Sequence, residues 1–380
     1  MKLLHTADWH VGRMLRGKSR ADEHRDVLAE IARIAQDEVD LVIVAGDLFD
    51  SSAPAPESEQ IVYNALIDLA RTGAEVVVIA GNHDNPQRLA AVRPLLEFTR
   101  VRTIAFPARA DNGGVIDVRL RAGGKARLAM LPFLSQRGII RADQLMSGEA
   151  ADHTVKYAER CARLIEALCT GFDDSSVNII VSHLTVAGAE HGGGEREAQS
   201  IFDYVVPSNV FPATAHYVAL GHLHRAQQVA AACPVWYSGS PLQLDFGETA
   251  NDPAVLLVRA EPDTPARVQP VSLCAGRRLS TVRGSMAQLE ALRDELGDDF
   301  LRVIVSEPAR IGLADDVREL LPNAVDVVVA QEDEHKPPNG PPVGGSPVQL
   351  FDDYLRENNI DEPALTALFR ELLETSLAAE

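Results

Sequence analysis

Short, unbroken apolar runs recur along the chain, and each ends in a small set of polar residues. Leu41-Val42-Ile43-Val44-Ala45 leads into Gly46-Asp47-Leu48-Phe49-Asp50, and Val76-Val77-Val78-Ile79-Ala80 leads into Gly81-Asn82-His83-Asp84-Asn85-Pro86. Val177-Asn178-Ile179-Ile180-Val181 gives way to Ser182-His183, and Tyr217-Val218-Ala219-Leu220 to Gly221-His222-Leu223-His224. Runs of this length without alternation predict strands covered on both faces. Between them the apolar period changes. Val27, Leu28, Ile31, Ile34, Ala35 and Val39 predict an amphipathic helix over 21–39, and Ile61, Val62, Ala65, Leu66 and Leu69 predict a second, entered from a stiff Pro54–Pro56 loop and ended by Gly73. Strand and helix patterns in alternation predict an α/β fold.

The first twelve residues repeat the design at the start of the chain. Leu3 and Leu4 run into His5-Thr6-Ala7-Asp8-Trp9-His10, and a period of two places Asp8 and His10 on the same side where the chain leaves its sheet. Taken alone, Asp8 would pass as a turn former and His10 as a surface residue. Five strand ends that deliver only Asp, Asn and His are a different matter. Loops from neighbouring strands converge at the carboxyl ends of α/β sheets, so these residues together spell a metal site.

The set resembles the calcineurin-like metallophosphoesterase superfamily, whose motifs D-x-H, G-D, G-N-H-D, a lone His after a strand and G-H-x-H all occur here in order. The wording around Asp8, Gly46-Asp47-Leu48-Phe49-Asp50 and Ser238-Gly239-Ser240-Pro241 is similar, more narrowly, to the nuclease subunits of bacterial double-strand-break-repair complexes. The resemblance implies a metallophosphoesterase β-sandwich flanked by helices, with a small α/β capping domain and a C-terminal helix-loop-helix. It also implies two divalent metal ions, with manganese the choice. One ion would take Asp8, His10 and His224, the other Asn82, His183 and His222, and Asp47 would bridge them. His83 follows a ligand yet takes no metal, which leaves it for proton donation to the leaving oxygen or for charge stabilisation, with Asp84 to orient it. Some archaeal relatives carry a histidine where this chain has Asp50, so no second histidine comes from that position.

Charge complicates a DNA substrate and then partly relents. The formal net charge is -19 over 380 residues, whereas DNA affinity rests on Lys and Arg neutralising phosphates. About -8 of it lies in 332–380, where eleven acids face three bases, while the loop after the first motif carries Arg13, Arg16, Lys18, Arg20 and Arg25. Arg13, Arg16, Lys18 and Arg20 are therefore candidate DNA contacts, with an ordinary solvated face as the alternative, and Ser238 and Ser240 join them by family analogy, against a plain turn. Four cysteines, Cys161, Cys169, Cys233 and Cys274, show no metal spacing and read as buried thiols. His5 reads as support for the first strand, His24 as a helix-face residue and His216 as preceding a strand; His191, in His191-Gly192-Gly193-Gly194-Glu195, has a weak claim on substrate, and Trp9 and Trp236 read as packed. Met1-Lys2-Leu3-Leu4 is interrupted by His5 and Asp8 before a signal-peptide core could form, and no apolar run reaches the roughly 20 residues of a membrane span. The expectation is a cytoplasmic protein without membrane contact.

The pattern shortens after about residue 270. A helix over 286–296, a strand over 300–305, a helix over 315–321 and a strand over 325–330 make a small unit in the place of the family's capping domain. The domains are then 1–270 nuclease, 271–331 capping, 332–346 a Pro- and Gly-rich linker, and 347–380 a helix pair. Leu350, Phe351, Leu355, Leu368, Phe369 and Leu372 form an apolar stripe suited to a partner's groove or to folding back on this chain. In the family such a pair grips an SMC-like ATPase, and the nuclease is a homodimer, through helices near 57–72 and 86–98, within a two-plus-two heterotetramer. The leading function is a manganese-dependent DNA exonuclease and endonuclease for DNA ends and hairpins in repair. A small-molecule phosphodiesterase or a phosphatase would share the ligands without needing the tail, and a scaffold with a decayed site would not keep the full ligand set.

Overall fold

In the computed structural model, the residues described are 1–36, 38–121, 123–147, 156–194, 204–330, 351, 355–356, 365–366, 368–370 and 372. Two six-stranded sheets lie face to face. The first runs, from edge to edge, Thr264–Ser272, Ala254–Glu261, Lys2–Thr6, Leu41–Val44, Glu75–Ile79 and Val101–Ile104; the second runs Gln227–Val229, Val235–Tyr237, Tyr217–Gly221, Val177–His183, Lys125–Leu131 and Val115–Arg119. Alternate side chains of each strand enter different layers. Ile43, Val77 and Ile79 meet Leu128, Ile179 and Ala219 between the sheets. The opposite side chains, Val42, Val44, Val76 and Val78, pack under helices Ala21–Ala35 and Pro56–Arg71, while Ile180 and Val218 pack under helix Tyr157–Cys169. Helix, sheet, sheet and helix thus form four layers. Strands sandwiched this way must be apolar on both faces, which is why they read as continuous runs.

Register decides where the polar ends fall. Thr6, Val44 and Val78 are level across three parallel strands, and His183 is level with Gly221 in the second sheet. All the motif loops consequently leave the sandwich at one edge. The two antiparallel strands Ala254–Glu261 and Thr264–Ser272 were not expected from the sequence, although the first opens on the apolar run 254–258; the second is largely exposed and carries a weaker signal.

Residues 279–329 form a third sheet of parallel strands Leu279–Gly284, Phe300–Val305 and Ala324–Val329, with helices Met286–Leu292 and Leu313–Leu320 packed through Leu289, Val303 and Val317. Ser285 and Gln288 close a capping box at the start of the first of these helices. That helix, expected to reach 296, gives way after Leu292 to a 3-10 turn over Arg293–Glu295, and the helix expected over 21–39 ends at Ala35. This sheet rests on the loop after the first motif, where Leu15, Phe246, Leu279 and Phe300 share a cluster. In the tail, Phe351 stacks on Phe369 at 4.2 Å between ring centroids, and Leu355 is buried. The linker 332–346 and Leu350 lie outside the described residues. Cys161, Cys169 and Cys233 are buried as expected, whereas Cys274 is exposed. Among the described residues no helix is long and apolar enough to cross a membrane.

Candidate metal centre

The loops after the first two strands are laced together. Asp8 N donates to Gly46 O at 3.0 Å, His10 N to Asp47 O at 3.1 Å and Val11 N to Leu48 O at 3.0 Å. Four non-glycine residues of the motifs are held with positive φ: Asp8 at 53°, His10 at 47°, Asp47 at 52° and His222 at 103°. Conformations of that kind cost about 1–3 kcal/mol each and persist where surrounding structure enforces them. Gly81 shows the same pressure in another form, since a Cβ there would overlap the Asp47 carboxylate.

Seven donors converge on this edge, as two clusters. His10 Nε2 lies 3.1 Å from His224 Nε2, and Asp8 completes a group of three. Asn82 Oδ1 lies 2.8 Å from His183 Nε2 and 2.9 Å from His222 Nδ1. Asp47 Oδ2 sits between, 3.5 Å from His10 Nε2 and 3.4 Å from His183 Nε2. The outer atoms of the ligands are tied down as well. His183 Nδ1 donates to Ala45 O at 2.7 Å, and the Asp8 carboxylate accepts from His222 N at 2.9 Å.

The electrostatics ask for a cation. Burial pushes the Asp8 carboxyl up to about 7, against the pull of His183 and His224. Burial opposes ionisation of Asp47 too, but His183 and His83 outweigh it and hold that carboxyl well below its ordinary value. His10 is pushed down to about 3 by burial; His183 rises to about 9 because Asp47 overcomes the same burial. Buried charges and facing imidazole lone pairs need a compensating partner. Two nitrogens at about 2.1 Å from one ion and at right angles to each other would lie about 3.0 Å apart, close to the His10–His224 spacing. A donor set of imidazole, carboxylate and one amide oxygen fits manganese, iron or zinc better than magnesium.

His83 stands beside this group, its ring edge-on to His10 at 4.6 Å. Its backbone N donates to Asp47 Oδ1 at 2.8 Å, and its Nδ1 lies 2.9 Å from the Asp50 carbonyl oxygen. A carbonyl only accepts, so Nδ1 carries the hydrogen and Nε2 is the working nitrogen. The orienting contact expected of Asp84 is thus made by the Asp50 main chain. Asp84 instead accepts from Phe49 N at 3.1 Å and Gly81 N at 2.8 Å, and so holds two motif loops together.

The other sequence candidates divide. Arg13 reaches Asp50 at 3.2 Å and keeps about a third of its side chain exposed beside the site. Arg20 is only 1% exposed, gripped by both oxygens of Glu23 and by the Gln243 carbonyl, so it is a structural residue and cannot meet DNA. Arg16 bonds Asp245 and Asp326, and Lys18 lies 4.7 Å from the Phe300 ring centroid. Ser238 is fully buried with its hydroxyl on Gly239 O, out of reach of DNA; the buried Ser240 Oγ has no hydrogen-bond partner among the described residues. His24, read as a helix-face residue, is buried between the Arg20 and Trp9 carbonyls, and His5 bonds the Tyr217 hydroxyl at 2.8 Å. Two acids escaped the sequence reading. Glu248 Oε1 lies 2.7 Å from His224 Nδ1, and Asp50 Oδ1 lies 3.5 Å from His10 Nδ1. Glu248 stands at the end of no apolar run and nothing in its spacing points to the site, whereas Asp50 closes the motif loop 46–50 but had no role assigned to its side chain.

Comparison with known proteins bears on this geometry directly. The family model for calcineurin-like phosphoesterases matches residues 1–226. The chain is 36% identical over 284 residues to the D subunit of the nuclease SbcCD from Bacillus subtilis, covering 73% of this chain and 71% of that one. It is 32% identical over 311 residues to the protein of the same name from Escherichia coli, covering 78% and 74%. Among solved structures, TT1561 of Thermus thermophilus aligns at 13% identity with a TM-score of 0.39, covering 71% of this chain and 98% of that one.

Proposed function

The chain belongs to the calcineurin-like phosphoesterase family, and on that premise we propose that it is a metal-dependent DNA nuclease, the SbcD-type subunit that works with an SbcC-type, SMC-like ATPase on DNA ends and hairpins in repair. The observation that carries the reading is the convergence of Asp8, His10, Asp47, Asn82, His183, His222 and His224 beside a histidine whose Nδ1 is already committed. Alignment with nuclease subunits beyond the family domain disfavours a small-molecule phosphodiesterase or phosphatase. The ligands divide as Asp8, His10 and His224 around one ion and Asn82, His183 and His222 around the other, with Asp47 between, and manganese is the ion proposed. Two such ions, held by these residues, would supply a nucleophile from water at neutral pH and would neutralise charge on the attacking and leaving oxygens.

The chain's own residues do the rest. Ala45 O, Asp8 and the loop hydrogen bonds hold the imidazoles in place before substrate arrives. With both ring nitrogens protonated, His83 gives its Nε2 proton to the leaving sugar oxygen or stabilises charge there, steadied by Asp50 O and Asp47. Arg13 offers a cation at the rim for a phosphate. Residues 271–331 serve as a cap, and 347–380 as the ATPase-binding helix pair beyond the 332–346 linker. A homodimer through Pro56–Arg71 and Pro86–Glu97, within a two-plus-two assembly in the cytoplasm, is supported by Leu95 and Phe98 exposed at the second of these helices.

The test is cleavage of end-labelled duplex and hairpin DNA by the full chain in manganese, beside bis-p-nitrophenyl phosphate. His83→Ala is expected to lower both activities by roughly 10²–10⁴-fold and to leave manganese binding, read by calorimetry, unchanged. Near-normal turnover in that variant would remove His83 from the mechanism, and hydrolysis of the small diester without DNA cleavage would remove DNA as the substrate of the isolated chain.

A further inference from the structure

Glu248 has the surroundings of a residue placed for one purpose. It is 1% exposed in the 3-10 turn Phe246–Glu248, and both of its oxygens are engaged: Oε1 at 2.7 Å from His224 Nδ1, and Oε2 accepting from Leu244 N at 2.7 Å. A carboxylate offers acceptors on both sides, so the imidazole must bring the hydrogen on Nδ1. That leaves the Nε2 lone pair of His224 facing His10 Nε2, the direction in which a metal must lie. Histidine ligands are commonly fixed in this way by a carboxylate on the far nitrogen, and removing the carboxylate typically costs 10–100-fold in metal affinity.

The turn that carries Glu248 is clamped from two directions. On one side, Gly192-Gly193-Gly194 lies against it so closely that a Cβ on Gly194 would overlap Glu248 Oε1 and a Cβ on Gly193 would overlap Gly247 O. The glycine run noted in the sequence thus has a physical cause, close approach to this carboxylate. On the other side, Asp245 bonds Arg16 at 3.2 Å, and the guanidinium of Arg302, from the third sheet, lies 4.7 Å from the Phe246 ring centroid. Arg16 and Arg302 both bond Asp326 of that sheet, at 2.9 and 2.8 Å.

We propose that Glu248 is the positioning residue of the His224 side of the centre, setting the tautomer and direction of that imidazole, and that its turn ties this ligand to the third sheet. The inference rests on the metal-dependent reading given above. It does not require Glu248 to touch substrate or ion.

The experiment is calorimetric titration of manganese into the full-length chain, with circular dichroism to confirm folding. In Glu248→Gln the negative charge behind His224 is lost whichever way the amide turns, and its NH₂ also deprives either His224 or Leu244 N of an acceptor. One of the two manganese sites should weaken by roughly 10–100-fold while the other keeps its affinity, and diester hydrolysis should need correspondingly more manganese to saturate. Gly194→Ala keeps the carboxylate but displaces it, and should weaken the same site. Unchanged affinity at both sites in a folded Glu248→Gln chain overturns the proposal. If that variant does not fold, Gly194→Ala decides in the same way: one weakened site supports it and two unaltered sites overturn it. A wild-type chain that binds no manganese would instead sink the metal reading itself.

Discussion

At the scale of single residues, the candidate metal ligands Asp47, Asn82, His183 and His222 were legible because each sits two positions beyond an apolar run, and strand register then brings those positions together with Asp8, His10 and His224. The supporting residues were not legible in this way. Glu248 lies on a loop that no period announces, while Asp50 and Asp84 stand in the motif loops but make contacts that spacing does not give, Asp84 bonding backbone of two motif loops in place of the imidazole next to it. His5 illustrates a buried titratable group with a measurable consequence. Its Nδ1 meets the Tyr217 hydroxyl, and burial, only partly offset by the Leu220 backbone, pushes its pKa from 6.5 down to about 3. The unfolded chain therefore takes up a proton below 6.5 that the folded chain refuses until about 3, and stability falls as pH falls through that window. The expected contribution is a slope of about 1.4 kcal/mol per pH unit. Urea unfolding of His5→Gln between pH 6 and pH 4 should show a shallower decline than the wild type by about that slope; parallel declines would mean that His5 is protonated in the fold.

At the scale of elements, the buried parallel strands and the helices beneath them were readable, whereas Thr264–Ser272, largely exposed, and Leu279–Gly284, alternately buried, were hidden, and the apolar run that opens Ala254–Glu261 ends in no polar motif to draw notice. The loop of basic residues after the first motif was read as one electrostatic feature, and the structure divides it. Lys18, Arg20 and Arg277 surround the Phe300 ring, with Arg20 buried on Glu23, so this stretch builds the seat of the third sheet. Arg13 alone of the candidate DNA contacts faces the site edge at Asp50. Arg20→Ala should accordingly cost about 3 kcal/mol of stability by removing the charged partner of Glu23, which would keep, among the described residues, only its bond from Arg277 N, with the salt dependence of DNA binding unchanged. Arg13→Ala should leave the unfolding midpoint in place and lower the slope of log affinity against log salt by about one. Equilibrium unfolding and DNA binding over a salt series separate the two, and the opposite pattern would return Arg20 to the DNA surface.

Across the whole molecule, the proposed reading sets catalysis and partner recognition at opposite ends of the chain, with different needs. The candidate metal centre is assembled from loops at 8–10, 46–50, 81–84, 183 and 222–224 and is held by contacts within residues 1–330. In the tail, Phe351 and Phe369 spend their apolar faces on each other, while Leu368 and Leu372, one helical turn apart, remain 49% and 58% exposed. An exposed pair on a helix held by an aromatic stack is what a groove on an ATPase partner would read, and charge substitution there leaves the stack intact. Leu368→Asp with Leu372→Asp should weaken binding of the SbcC-type partner by at least about 2 kcal/mol, roughly thirtyfold, measured by calorimetry or co-sedimentation. Manganese-dependent hydrolysis of bis-p-nitrophenyl phosphate should stay at the wild-type rate, since among the described residues the contacts that hold His83, His183 and His224 come from 1–330. Undiminished partner binding would locate the ATPase contact elsewhere, and a fall in diester hydrolysis would show that the tail folds back to support the catalytic edge.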